Sequence, residues 1–295
     1  MARKVLIFGN AGQLGVELMG EFAQRGYRVA GYDKAEVDIV DAALVEDCVA
    51  QFDPCVVINA AAYNQVDVGE KEPLAAFLVN AIAVKNIALA CRQIDARLVH
   101  YSTDYVFDGT ATEPYREQDT PRPLNAYGVS KLAGEFFAQA YIDHPLIIRT
   151  TGVYGPGGLH TARGNFVELM LRLASTGQEI RVVEDHLAAP TYAPALAART
   201  ADLVDKGLTG MFHIGGGVAI SWFEFAKLIF EAGGLSPRLR ATNEREYRTA
   251  ARRPKFSVLS NAKMEAAGLA PMPPLKEALS DYFSRREEWL TKSPA

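Results

Sequence analysis

Cysteine, tryptophan and surplus positive charge are all scarce in this chain, and the scarcities exclude several classes of protein. Cys48, Cys55 and Cys91 are the only cysteines in 295 residues. Their odd number and apolar, regularly patterned surroundings suit reduced core thiols, not a disulfide framework or a metal site, so no metal is expected. Lys and Arg (31) are outnumbered by Asp and Glu (35), giving a net charge of −4 and a pI near 5.8. That leaves no broad basic surface for nucleic acid or anionic lipid. No apolar stretch is expected to reach membrane-spanning length. The run behind the basic opening meets a glycine turn too early to form a signal-peptide core. A cytoplasmic chain without nucleic-acid or membrane partners is expected, with a homodimer left open.

What the chain has is 49% hydrophobic residues in a regular alternation. Val5-Leu6-Ile7-Phe8 is a short apolar run closed by glycines, followed by a helical pattern over 14–23 and a second strand pattern over 27–32. Further strand patterns at 56–59, 97–101 and 146–149 alternate with helical ones at 42–51, 74–93 and 126–141. This order predicts an α/β fold, a Rossmann-type doubly wound parallel sheet. After Arg149 the pattern loosens, with helices expected at 166–174, 193–204 and 222–232 and a strand at 179–183. Ser221 and Glu224 suggest a capping box for the last helix. We therefore expect a dinucleotide-binding domain over 1–150 and a smaller C-terminal α/β substrate lobe over 151–295. The two should partly interleave, because Met211-Phe212-His213-Ile214 reads as another core strand.

The chemistry begins at Gly9-x-x-Gly12-x-x-Gly15, placed between a strand and a helix. Glycines there permit a tight turn, close approach to a pyrophosphate, and packing of helix on sheet. The spacing differs from G-x-G-x-x-G. It nominates Gly9, Ala11, Gly12, Gln13, Leu14 and Gly15 as cofactor-binding and implies NAD or NADP. Asp33, about 20 residues on, can accept from the adenosine ribose hydroxyls and repel a 2′-phosphate, which favours NAD, while Lys34 opposes that preference. A solvated turn residue remains the other reading of Asp33. Asp38 and Ile39 are candidates for the adenine side. Asn59, Ala60, Ala61 and Ala62 end a strand beside the same groove, where small side chains let backbone approach a ligand.

Tyr127 and Lys131 stand one helical turn apart, downstream of Ser102-Thr103-Asp104. A Tyr and a Lys at i and i+4 share a helix face, so the ammonium is expected to lower the phenol pKa and make it a proton donor near neutral pH. Thr103 would orient the carbonyl oxygen that receives the proton, with Ser102 as the alternative.

These residues together resemble the dTDP-4-dehydrorhamnose reductase family, within the extended short-chain dehydrogenase/reductases. The likeness runs through Gly9 to Gly15, Ile58-Asn59-Ala60-Ala61-Ala62-Tyr63, Ser102 to Gly109, Pro123 to Glu135, Asn165-Phe166, Ala189-Pro190-Thr191, Ser221 to Ala226 and Arg253-Pro254. It implies NADH- or NADPH-dependent reduction of the C4 ketone of a nucleoside-diphosphate-linked deoxysugar, foremost dTDP-4-dehydrorhamnose to dTDP-L-rhamnose. By resemblance Thr103, Tyr127 and Lys131 are catalytic, and Thr103, Asp104, Tyr105, Gly152, Asn165, Pro190 and Thr191 face the substrate. An epimerase of the same superfamily and a non-catalytic, cofactor-binding regulatory subunit are the alternatives.

Departures cluster at the sugar. The family's tryptophan is Gly152 here, its Val-Asp-Lys-Ala-Glu is Val66-Asp67-Val68-Gly69-Glu70, and the residue after Asp185 is His186 where glutamine is usual. Loss of the tryptophan implies a wider sugar side that Gly152→Trp would tighten. His186 has two readings, a diphosphate contact or a satisfied structural histidine.

Overall fold

A computed structural model describes residues 3–161 and 164–291. Six strands form the main sheet: β1 (Lys4–Phe8), β2 (Arg28–Tyr32), β3 (Val56–Asn59), β4 (Arg97–Thr103), β5 (Leu146–Thr150) and β8 (Gly210–His213). Their order is β2-β1-β3-β4-β5-β8, and every pairing is parallel. Alternate residues feed two cores. Val5, Ile7, Ile58, Val99 and Ile148 pack on one face with α1 (Gln13–Gln24) and α8 (Ala193–Asp205), whereas Leu6, Phe8, Val57, Leu98 and Ile147 pack on the other with α2 (Ala42–Phe52) and α5 (Ala83–Gln93). Helices cover both faces, so β1, β3, β4 and β5 are buried along almost their whole length. The chain reverses direction across the sheet between β1 and β3, and the crevice beyond their C-terminal ends is where such sheets take ligands.

The second lobe has its own core of Tyr154, Val167, Tyr192, Phe225, Ile229 and Tyr282. It is built from α7 (Phe166–Ala174), α9 (Trp222–Ala232) and α11 (Leu275–Thr291), with β6 (Ile180–Val183) paired to β10 (Leu239–Thr242) and β7 (Leu187–Ala188) to β9 (Ile220–Ser221). Between these pieces α8 and β8 return to the main sheet.

Three local expectations need correction. Pro73–Gln93 does reach membrane-spanning length and apolarity, because α4 (Pro73–Phe77), a π-turn (Leu78–Ile82) and α5 run on as one helix. Half of its most apolar window is buried inside the protein, with α5 packed on the sheet. Cys55 is exposed, since it precedes β3 at the sheet's rim, while Cys48 and Cys91 are buried thiols as expected. Ser221 caps α9 by accepting from the Glu224 N–H at 3.1 Å. The Glu224 carboxylate, however, pairs with Lys227, so the reciprocal half of the box is not made.

Candidate active site

Every element of the candidate site ends at the C-terminal edge of the main sheet. Gly9 follows β1 with φ +82°, and a Cβ there would lie 2.6 Å from the Ala61 nitrogen just past β3, so only glycine lets the two strand ends approach. Gly12 opens α1 with no side chain capping the helix, which leaves its first N–H groups and positive dipole end facing outward. A cavity of 220 Å³ adjoins it, lined by Gly9, Asp33, Lys34, Asp38, Ile39, Ala61, Ala62 and Tyr63 among others. Buried Asn10 Oδ1 has no partner. An uncapped helix end beside an acidic-edged groove fits a dinucleotide, with diphosphate at α1 and adenosine in the cavity.

Asp33 is held rigidly. Its Oδ1 accepts from the Ala35 and Glu36 N–H groups at 2.7 and 3.2 Å, and its own N–H donates to Glu36 Oε2 at 3.0 Å. Asp38 accepts from the Val40 N–H, and Ile39 is buried beside it. Several other nominated residues stand outside the cavity lining. Asn59 is fully buried and accepts from the Ala61 N–H, and Leu14 packs on the sheet core. Gln13 reaches across to the second lobe, donating to Val153 O and accepting from Asn165. Ala11 is exposed and does not line the cavity, while Ala60 and Gly15 pack behind it.

Thr103 ends β4, and Tyr127 lies in the first turn of α6 (Ala126–Tyr141), which Asn125 starts by accepting from the Gly128 N–H. Thr103 Oγ1 donates to Asp104 Oδ1 at 3.0 Å and accepts from the Tyr105 N–H, and it stands near enough to the Tyr127 hydroxyl to act on its pKa. Asp104 is buried. Burial pushes its pKa up to about 6, and hydrogen bonds from Ser257, Thr151 and Thr103 resist the rise. Tyr127 is tied to both sides of the crevice. Its ring meets Tyr105 edge-on at 5.8 Å. Its carbonyl accepts from Ser130, whose hydroxyl accepts from Asn80, the π-turn residue that holds the Tyr63 backbone on both sides.

The expected electrostatic coupling between Tyr127 and Lys131 is absent from the protein alone. Lys131 turns inward and donates to the Tyr101 carbonyl, and burial pushes its pKa down to about 8 against the pull of Glu135. Tyr127 goes the other way: burial raises its pKa to about 12, the Thr103 hydrogen bond works against that, and the Asp104 charge adds to it. Desolvation outweighs the i, i+4 attraction because the ammonium is spent on a carbonyl. Ser102 is not available in place of Thr103. Strand alternation sends it to the opposite face, where it donates to Glu135, and Glu135 is gripped by Arg149 at 2.7 and 2.8 Å.

The sugar side also differs from expectation. Gly152 has φ +52°, and a Cβ there would lie 3.1 Å from the Trp222 ring. The indole of Trp222, packed against Phe166 at 4.7 Å, fills the space that the absent tryptophan was expected to leave open. Pro190 backs Gly152, and buried Thr191 donates to Ala189 O, so neither lines the cavity. Asn165 caps α7 and bonds Gln13 and Gly155, which spends its side chain between the lobes.

A second cavity, of 640 Å³, carries the remaining candidates. Tyr105, Phe166, Trp222 and His186 stand among its walls, and Asp67, Arg181, Arg245, Arg248, Arg252 and Arg253 bring charge to it. The arginines between 238 and 253 are visible in the sequence, yet they follow neither a helical nor a strand period, and only the fold gathers them. Neither ring nitrogen of His186 makes a hydrogen bond among the described residues. Nδ1 sits 3.4 Å from Asp185 without hydrogen-bond geometry, and burial lowers the pKa. A neutral imidazole is a poor diphosphate contact. Among the described residues no His, Cys, Asp and Glu cluster could hold a metal.

Comparison with known proteins agrees with this geometry. Residues 3–287 match the model of the RmlD substrate binding domain. The chain is 41% identical over 283 residues to the spore coat polysaccharide biosynthesis protein SpsK of Bacillus subtilis, covering 96% of this chain and 98% of that protein. It is 38% identical over 284 residues to a dTDP-4-dehydrorhamnose reductase of Mycolicibacterium smegmatis, covering 95% and 85%. The crystal structure of a Bacillus anthracis dTDP-4-dehydrorhamnose reductase in complex with NADP superposes with a TM-score of 0.91 at 36% identity, covering 97% and 100%.

Proposed function

The chain belongs to the RmlD substrate binding domain family and is an NAD(P)-dependent oxidoreductase, and we propose that it reduces the C4 ketone of a dTDP-linked deoxysugar, dTDP-4-dehydrorhamnose above others. The observation that carries this reading is the packing of Tyr127, beside Thr103 at the end of β4, edge-on against Tyr105, a wall residue of a cavity rimmed with arginines, in a fold whose Gly9 turn borders a dinucleotide-shaped groove. The start of α1 would hold the cofactor diphosphate, Asp33 the adenosine ribose, and Lys131 the nicotinamide ribose. A reduced nicotinamide, when bound, supplies the hydride that reaches the carbonyl carbon. Tyr127 donates its hydroxyl proton to the carbonyl oxygen while Thr103 orients that oxygen, and the product is the alcohol. A pKa of about 12 keeps the donor loaded at any ordinary pH. Arg245, Arg248 and Arg252 would meet the sugar's diphosphate, and the Phe166–Trp222 wall its apolar face. The proposal extends to a cytoplasmic homodimer, in keeping with the free thiols and with exposed Leu74, Leu78, Ile82 and Phe136. A panel of 4-keto nucleotide sugars assayed with NADH and NADPH tests the reading, and oxidation of neither cofactor with any of them would defeat it.

Asp33 sets an expectation for the cofactor. A carboxylate fixed by two backbone N–H groups should repel a 2′-phosphate unless Lys34 offsets it, so kcat/KM with NADH should be no worse than about tenfold below that with NADPH, a gap of about 1.4 kcal/mol. A larger NADPH preference would place control with Lys34.

Lys131 sets another. Once Tyr127 has given up its proton, the tyrosinate needs a cation on the same helix face; Lys131 would reach it only by leaving the Tyr101 carbonyl, and brings a charge only while protonated. With its pKa pushed down to about 8, the charge is present below that pH and lost above it. Turnover should therefore fall on the alkaline side of about pH 8, and Lys131→Met should remove that limb together with most of the activity. A pH–rate profile extending to pH 10 without decline would contradict this.

A further inference from the structure

The segment from Ala251 to Pro254 in the second lobe is fastened to the start of the helix that carries Tyr127. Asp67, in the short helix α3 (Val66–Gly69) of the first lobe, accepts from the Ala251 N–H at 3.0 Å and from both terminal nitrogens of Arg253 at 2.6 and 3.2 Å. Asn125, the cap of α6, donates to the Arg252 carbonyl at 2.7 Å. Glu70, one turn beyond Asp67, accepts from the Ala126 N–H at 2.7 Å. On the other side of the segment the chain crosses Gly109, where a Cβ would come within 2.7 Å of Pro254. Arg253 and Tyr105 line the same cavity close enough to act on one another electrostatically, and the Tyr105 ring stands edge-on to Tyr127.

We propose that Asp67 and Arg253 form a latch between the lobes that fixes Tyr105, and through its ring Tyr127, in the orientation that proton transfer requires. The inference rests on the reductase reading above. Arg253 is then a positioning residue: Asp67 holds its guanidinium in the cavity wall that includes Tyr105, and Tyr105 touches the donor. A stabilising role alone explains the pair poorly. The side chains keep 29% and 43% of their exposure, and an ion pair that wet adds little to stability. Its fork-on-carboxylate geometry instead gives direction, which is what a planar guanidinium supplies that a lysine ammonium does not. Direct substrate binding by Arg253 is the competing role, and it makes a different kinetic prediction. A residue that only holds the diphosphate acts on KM, whereas one that sets the donor acts on the rate at saturation.

Arg253→Met and Asp67→Asn test the latch on the full-length protein, with single-turnover oxidation of NADPH measured at saturating dTDP-4-dehydrorhamnose. Both variants should lose at least about tenfold in single-turnover rate with NADPH affinity and Tm near wild type, the double variant should be no slower than the worse single one, and Arg253→Lys should recover only part of the loss. A rate within about twofold of wild type with only KM raised would overturn the latch, as would a loss that tracks a drop in Tm. A wild-type protein inert toward every nucleotide-linked ketosugar would defeat the functional reading. The latch is then judged by amide hydrogen exchange. Faster exchange over residues 104–107 and the first turn of α6 in both variants supports it, and unchanged exchange overturns it.

Discussion

Tyr127→Phe is expected to lower kcat by about 10²–10⁴-fold while leaving dinucleotide affinity within about twofold. The substitution removes one oxygen, keeps the edge-on contact with Tyr105, and leaves the N-terminal turn of α6 capped by Asn125. Nothing else among the described residues replaces the proton. Asp104 touches the same Thr103, but its carboxylate is already engaged by Thr103 and Thr151. Lys131 is directed at the Tyr101 carbonyl. Hydride transfer without proton delivery would leave an alkoxide in a partly desolvated site, and that is the origin of the rate loss. Steady-state turnover together with dinucleotide fluorescence titration measures both halves, and near-wild-type turnover would remove Tyr127 from the mechanism.

Gly152→Trp is expected to damage the protein, the reverse of what the family resemblance implies. Position 152 sits at φ +52°, where an L-residue costs about 1–2 kcal/mol. Its first side-chain carbon would then press on Trp222 at 3.1 Å and on the Pro190 backbone at 3.4 Å, and overpacking of this sort adds about 1–3 kcal/mol. Melting temperature should fall by about 5–10 °C. Because the displaced indole belongs to the cavity wall with Phe166, KM for the nucleotide sugar should rise as well. A variant with unchanged Tm and a lower KM would show that the glycine leaves an open space after all.

These two positions also show what a sequence can and cannot reveal here. The Gly9 turn, the Thr103 strand end and the Tyr127 helix were legible because each is local. A glycine turn after an apolar run, a short buried strand and a helical pattern over 126–141 are all written in consecutive residues. The direction of Lys131 was not legible. Spacing places it on the Tyr127 face, but burial and the Tyr101 carbonyl decide where its ammonium goes. Gly152 misled for a related reason. The ring that fills its space comes from Trp222, 70 residues on in another element, and no local pattern encodes that meeting. The larger cavity was the least visible part, since Asp67, His186, Trp222 and the arginines around 245–253 converge only through tertiary packing. Asn165 illustrates the converse, a residue nominated for substrate whose side chain is used to cap α7 and tie the lobes together.

Transfer of deuterium tests the central claim most directly. The protein would be incubated with dTDP-4-dehydrorhamnose and NADPH or NADH carrying deuterium at the transferable C4 position of the nicotinamide, and the product analysed by NMR and mass spectrometry. One deuterium at sugar C4 is expected for each cofactor oxidised, and no such product with Tyr127→Phe on the same timescale. An isomerised sugar without deuterium and without net cofactor oxidation would contradict it and identify an epimerase instead.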